Sequence, residues 1–114
     1  MLNLNNVNFG GNLTRDPELI YTTAGTPITK ISVAANRKWK DKSSGEMKEE
    51  ATFMRITIFG KQAEAVAEHL QKGANVLVEG RLQNNNWETE SGEKRSSVDI
   101  VADRVHFLGK KGEE

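Results

Sequence analysis

The 114-residue chain contains no cysteine, which excludes disulfides and thiolate metal sites together. It has no apolar run long enough, about 18 residues, to read as a membrane-spanning helix. Its first residues, Met1-Leu2-Asn3-Leu4-Asn5-Asn6, lack the basic stretch and apolar block of a secretion signal, so a cytoplasmic protein is expected. Only two histidines are present, His69 and His106. Neither has a neighbouring Asp/Ser set or metal-ligand spacing, and no glycine-rich phosphate loop occurs. Glu49 and Glu50 read as solvated surface rather than as a catalytic pair. Catalysis is therefore not expected, nor is a bound metal or cofactor. Charge of one sign is missing too, because sixteen Lys and Arg balance sixteen Asp and Glu. That balance counts against a strongly basic nucleic-acid binder. What remains, 36% hydrophobic and 28% charged, suits one soluble domain.

Aromatic residues make up only 6% of the chain, so their placement is informative. In Thr52-Phe53-Met54-Arg55-Ile56-Thr57-Ile58-Phe59, Met54, Ile56 and Ile58 alternate onto one face, as a half-buried strand requires. The opposite face should be polar, yet it carries Phe53 and Phe59 around Arg55 and Thr57. Rings kept outward beside a guanidinium suit a flat, stackable, negatively charged partner such as unpaired nucleic acid. The alternative is a strand buried on both faces, with the two rings under a helix or a second subunit.

Val7 and Phe9 open a first strand, and Gly10-Gly11 predicts a bulge or sharp bend in it. Asp16-Pro17 is a turn signal, and 18–21 reads as a short strand. A long strand covers 28–37, with Ile31, Val33 and Ala35 on one face, and a polar loop follows at 41–46. The spacing of Ala63, Val66, Ala67 and Leu70 predicts a helix over 61–72, with Gly73 as its C-terminal cap and Lys72 against its dipole. Val76, Val78, Gly80 and Leu82 alternate in a further strand, a second polar loop follows Trp87, and Val98, Ile100 and Ala102 form the last strand. Three main strands, one helix and two more strands predict an all-β OB-fold, a five-stranded antiparallel Greek-key barrel with one α-helix between strands 3 and 4. A ferredoxin-like sheet would need a second helix that the pattern does not supply. The domain is expected to span 1–108, with 109–114 as a short flexible tail.

Trp87 shares parity with the outward set of its strand. Trp39 shares parity with the core residues Ile31 and Val33, but it lies among Arg37, Lys38, Lys40 and Lys42, where a strand has left the barrel for a hairpin arm. An exposed platform is the expectation there, against a tryptophan that pins its own hairpin. Candidate phosphate partners are Arg37, Lys38, Lys40, Lys42, Lys48, Arg55, Lys61, Lys72, Arg81, Lys94 and Arg95, with Arg55 the best placed.

The chain resembles the bacterial-type single-stranded DNA-binding proteins. The matching stretches are Gly11-Asn12-Leu13-Thr14-Arg15-Asp16-Pro17-Glu18, Trp39-Lys40-Asp41-Lys42 with Gly45-Glu46-Met47-Lys48-Glu49, and Ile58-Phe59-Gly60-Lys61. Further along come Lys72-Gly73, Val78-Glu79-Gly80-Arg81-Leu82 and Trp87. The resemblance implies a barrel that assembles as a homotetramer and coats single-stranded DNA in replication, recombination and repair. It places base-stacking aromatics at Trp39, Phe53, Phe59 and Trp87, and phosphate contacts at Lys42, Lys48, Arg55, Lys61, Lys72 and Arg95. Departures from the family pattern are Phe53 where many relatives have Trp, and Gln83, Asn85 and Asn86 where well-known members are basic. Met54 stands near a subunit interface at a position that is histidine in some members. Family members usually end in an acidic Asp-Asp-Ile-Pro-Phe-like tip that recruits replication and repair proteins. With Gly112-Glu113-Glu114 here, that recruitment is expected only if the native protein carries such a tip. The rival from another functional class is a primosome-type OB module that uses Phe53 and Phe59 to bind protein.

Overall fold

The computed structural model describes residues 1–110. Strands β1 (Val7–Leu13), β2 (Glu18–Tyr21), β3 (Pro27–Lys40) and β4 (Met47–Phe59) precede helix α1 (Lys61–His69). Strands β5 (Ala74–Glu88) and β6 (Lys94–Lys110) follow it. The sheet runs β1-β5-β6-β4-β3-β2, and a further β1–β3 pairing closes it. Five strands make the barrel, and β2 is a short hairpin extension of β3. The helix sits between the third and fourth barrel strands, as the OB-fold reading expects. One detail of that reading changes. Strands β4 and β6 run parallel where Ile56 meets Ile100 and Thr57 meets Val101, while the other pairings are antiparallel.

Alternation fills the barrel with β-branched side chains. Ile31 and Val33 of β3, Ile56 and Ile58 of β4, Val76 and Val78 of β5, and Ile100 of β6 are buried together with Leu13. Helix α1 adds Ala63 and Val66 to the same cluster. The one buried polar side chain among the described residues, Thr29, is satisfied because its hydroxyl donates to the Ala63 carbonyl at 2.6 Å. An unpaired hydroxyl there would cost about 1–3 kcal/mol.

The closure points are glycines. Strand β1 pairs with β5 as far as Asn12 and turns onto β3 at Asn12 and Leu13. At Gly11 a Cβ would lie 2.0 Å from the Ala34 carbonyl oxygen, so only glycine lets the strands approach this closely. The bend expected at Gly10-Gly11 therefore rests on Gly11. Gly80, paired with Ala102, plays the same part against the Val101 carbonyl oxygen, beside a register shift between Glu79 and Gly80.

Helix α1 ends at His69, short of the expected 72. Leu70 adopts an extended backbone and is buried in the core cluster. Lys72 therefore does not sit on the last turn of the helix. Its N–H donates to Asp16 Oδ1 at 2.8 Å. Gly73 (φ 93°) turns the chain into β5, and its N–H donates to the Leu13 carbonyl. Strand β6 reaches Lys110, two residues into the expected tail, and 111–114 lie outside the described residues.

Two hairpins project beyond the core. Strands β3 and β4 stay paired from Asn36–Ala51 out to Lys40–Met47, and β5 and β6 out to Glu88–Lys94.

Candidate nucleic-acid interface

The β3–β4 register fixes the outward face of the barrel. Phe53 lies opposite Ala34, Arg55 opposite Ser32, Thr57 opposite Lys30 and Phe59 opposite Ile28. Because Ile56 and Ile58 are sealed in the core, their neighbours must point out. Phe53 is 62% and Phe59 47% exposed. Within the chain this strand is not buried on both faces.

Beside these rings lies a groove of about 420 Å³, lined by Arg15, Glu18, Lys30, Arg55, Thr57, Asn85 and Asp99 with parts of Ile31 and Ile56. Three cations meet two carboxylates there, a local excess that the neutral total conceals. Arg55 is 67% exposed along its side chain, and its Nε stands 4.0 Å from Asp99 Oδ1. The other Asp99 oxygen accepts a hydrogen bond from Asn85 Nδ2 at 2.8 Å. Sequence reasoning proposed Arg55 but missed Arg15, Lys30, Asn85 and Asp99. Parity offered a signal for Lys30 and Asp99, since each alternates with a core isoleucine. Arg15 carried no local signal, because the turn after β1 delivers it.

Trp87 is 49% exposed and faces Arg95 across the β5–β6 ladder. The two line an open hollow of about 490 Å³ with Asn86, Glu88, Lys94 and Ser96. Trp39 is half-buried, and the Arg37 guanidinium lies over its ring with Cζ 5.1 Å from the centroid. The expected free platform is thus partly covered by a cation–π partner. By register Trp39 shares its face with Arg37 and Lys48, opposite in parity to Phe53 and Phe59.

The remaining predicted cations divide into two groups. Lys48 lies 3.8 Å from Glu46, Arg81 3.1 Å from Asp103 and Arg95 2.7 Å from Glu93. Such exposed pairs are worth about 0–1 kcal/mol and yield readily to a competing anion. The Asp103 partner of Arg81 also lends its carbonyl to Gln62 of α1. Among the described residues, Lys38, Lys40, Lys42, Lys61 and Lys72 make no ion pair. At the arm tip, Asp41 accepts from the Ser43 hydroxyl and N–H, which hold its carboxyl below the usual range.

A closed barrel with exposed rings and a mixed-charge groove limits the possible families. Residues 4–108 match the Single-strand binding protein family. The chain belongs to that family. It is 41% identical over 111 residues to single-stranded DNA-binding protein 1 of Xylella fastidiosa, covering 97% of this chain and 82% of the relative. It is also 41% identical over 108 residues to the single-stranded DNA-binding protein of Wolinella succinogenes, covering 95% of this chain and 66% of that one. A deletion mutant of the single-stranded DNA binding protein from Thermus aquaticus superposes with a TM-score of 0.81 at 34% identity. That match covers 96% of this chain and 52% of the other, so the chain spans about half of its length. The Plasmodium falciparum SSB in its complex with ssDNA gives a TM-score of 0.87 at 23% identity, over 95% and 97% of the two chains. That likeness speaks for the fold alone. Within this family chain, β4 and the two arms hold all four aromatics marked out by parity and resemblance.

Proposed function

We propose that this protein binds single-stranded DNA without sequence preference and protects it during replication, recombination and repair. The observation that carries this reading is the outward pair Phe53 and Phe59 flanking Arg55 on a barrel strand. Bases stack on Phe53, Phe59 and Trp87, with Trp39 and its Arg37 partner as a fourth contact. Each stacked base contributes about 1–3 kcal/mol and is tolerated whatever its identity. Phosphates run past Arg55 and the Lys and Arg side chains of the arms and turns, which a duplex cannot follow while its bases stay paired.

The protein works without catalysis or a cofactor, as a cytoplasmic homotetramer on the nucleoid. It recruits replication and repair proteins only where an acidic C-terminal tip is present.

The test uses intrinsic fluorescence, because Trp39 and Trp87 are the only tryptophans. Titration with oligothymidine is expected to quench most of the emission stoichiometrically, while duplex DNA of equal length does little. Light scattering alongside reads the assembly state. An unchanged spectrum at low salt would replace this reading with that of a protein-interaction module.

A further inference from the structure

Asp99 is out of place in a groove meant for a polyanion. Its side chain is only 23% exposed, and it sits on β6 between β4, which carries Arg55, and β5, which carries Asn85. Next to it, Ile100 pairs with Ile56 of β4, and Asp99 itself lies opposite Gln83 of β5. One carboxylate oxygen is fixed by the Asn85 amide at 2.8 Å, and the other faces Arg55. Nε, rather than a terminal nitrogen, is what approaches Asp99. At 4.0 Å this is a charge contact rather than a hydrogen bond, and an arginine that turns Nε toward a carboxylate leaves its two terminal nitrogens as a fork for phosphate oxygens.

Resting on the reading that the groove binds single-stranded DNA, we propose that Asp99 is a positioning residue. It is anchored by Asn85 and holds the exposed Arg55 side chain in the orientation that receives a phosphate. Restricting a long side chain before binding removes part of the ordering cost that binding would otherwise carry. Charge and position then act in opposite directions. Simple repulsion says that deleting a carboxylate from this groove, which also holds Glu18 against Arg15, Lys30 and Arg55, tightens binding of a polyanion. Positioning says that the deletion weakens it.

Asp99→Asn in the assembled protein, titrated with oligothymidine, reads the sign directly. Affinity is expected to fall about 3- to 10-fold, as contact-coupled neighbours do. The slope of log affinity against log salt is expected to shrink by about 0.7, the value of one lost phosphate on a single strand. Arg55→Gln should show the same reduction, and the double variant should add little to it. Binding that is unchanged or tighter, or effects that add in full, would overturn the proposal. Should Asp99→Asn melt early, Asn85→Ser frees the carboxylate without changing charge and must reduce the slope in the same way. A wild-type protein that fails to bind oligothymidine at all would instead sink the proposed function.

Discussion

Phe53, Phe59 and Trp87 are each exposed over about half of the residue or more, which leaves part of each side chain free to meet a ligand. Phe59→Ala and Trp87→Ala are each expected to weaken oligothymidine binding by about 1–3 kcal/mol, roughly 5- to 150-fold. Thermal melts should stay within about 2 °C of wild type, as for surface changes of up to about 0.5 kcal/mol. A large loss of melting temperature would mean that the rings are structural. Gly11 is the opposite case, a residue with no side chain whose replacement the fold cannot absorb. Gly11→Ala forces a methyl group against the Ala34 backbone and is expected to cost about 3 kcal/mol or more. At Gly10 the nearest atom lies at 3.3 Å, so Gly10→Ala should cost far less. Urea unfolding of the two variants side by side checks this. Parity alone made the outward rings legible. Which of the paired glycines carries the bend was not legible, because the answer depends on how close another strand comes.

Elements followed the periodicity where burial was one-sided and departed from it where a tertiary contact intervened. The existence of α1 and most of its apolar stripe were readable, but its end was not, since Leu70 is extended rather than helical even though it is buried as the stripe expects. Strands β5 and β6 share a second feature that local pattern could not show. His106 Nε2 and Glu79 Oε2 lie 2.9 Å apart across the ladder. The Glu79 carboxyl falls below its ordinary 4.5, chiefly through that hydrogen bond. Desolvation opposes the shift, while the charges of His106 and Arg104 add to it. A carboxyl whose folded value is depressed stabilises the protein above its unfolded value and loses that contribution as pH falls through the folded one. Glu79→Gln is therefore expected to lower the melting temperature at about pH 7, by an amount that shrinks steadily as the pH is taken below the carboxyl's ordinary 4.5. An effect that stays the same down the pH series would show that the pair contributes nothing through charge.

At the scale of the molecule, a formal charge of zero coexists with a groove where three cations face two carboxylates. Salt dependence should follow the groove rather than the total. If three phosphates are neutralised there, raising salt fourfold is expected to reduce affinity roughly 20-fold, at a slope of about −0.7 per phosphate. A flat salt profile would leave stacking alone to support binding. Sequence order was enough for the strand count, the single helix, the barrel class and the outward aromatics of β4, because alternation and helical spacing are local and repeat within a few residues. Only the tertiary structure decided that Arg15, Lys30, Arg55, Asn85 and Asp99 line one groove and that Arg37 lies over Trp39. It also decided that β1 reaches β3 and β5 through Gly11. Closing a barrel joins residues far apart in the chain, and no local period records which of them will meet.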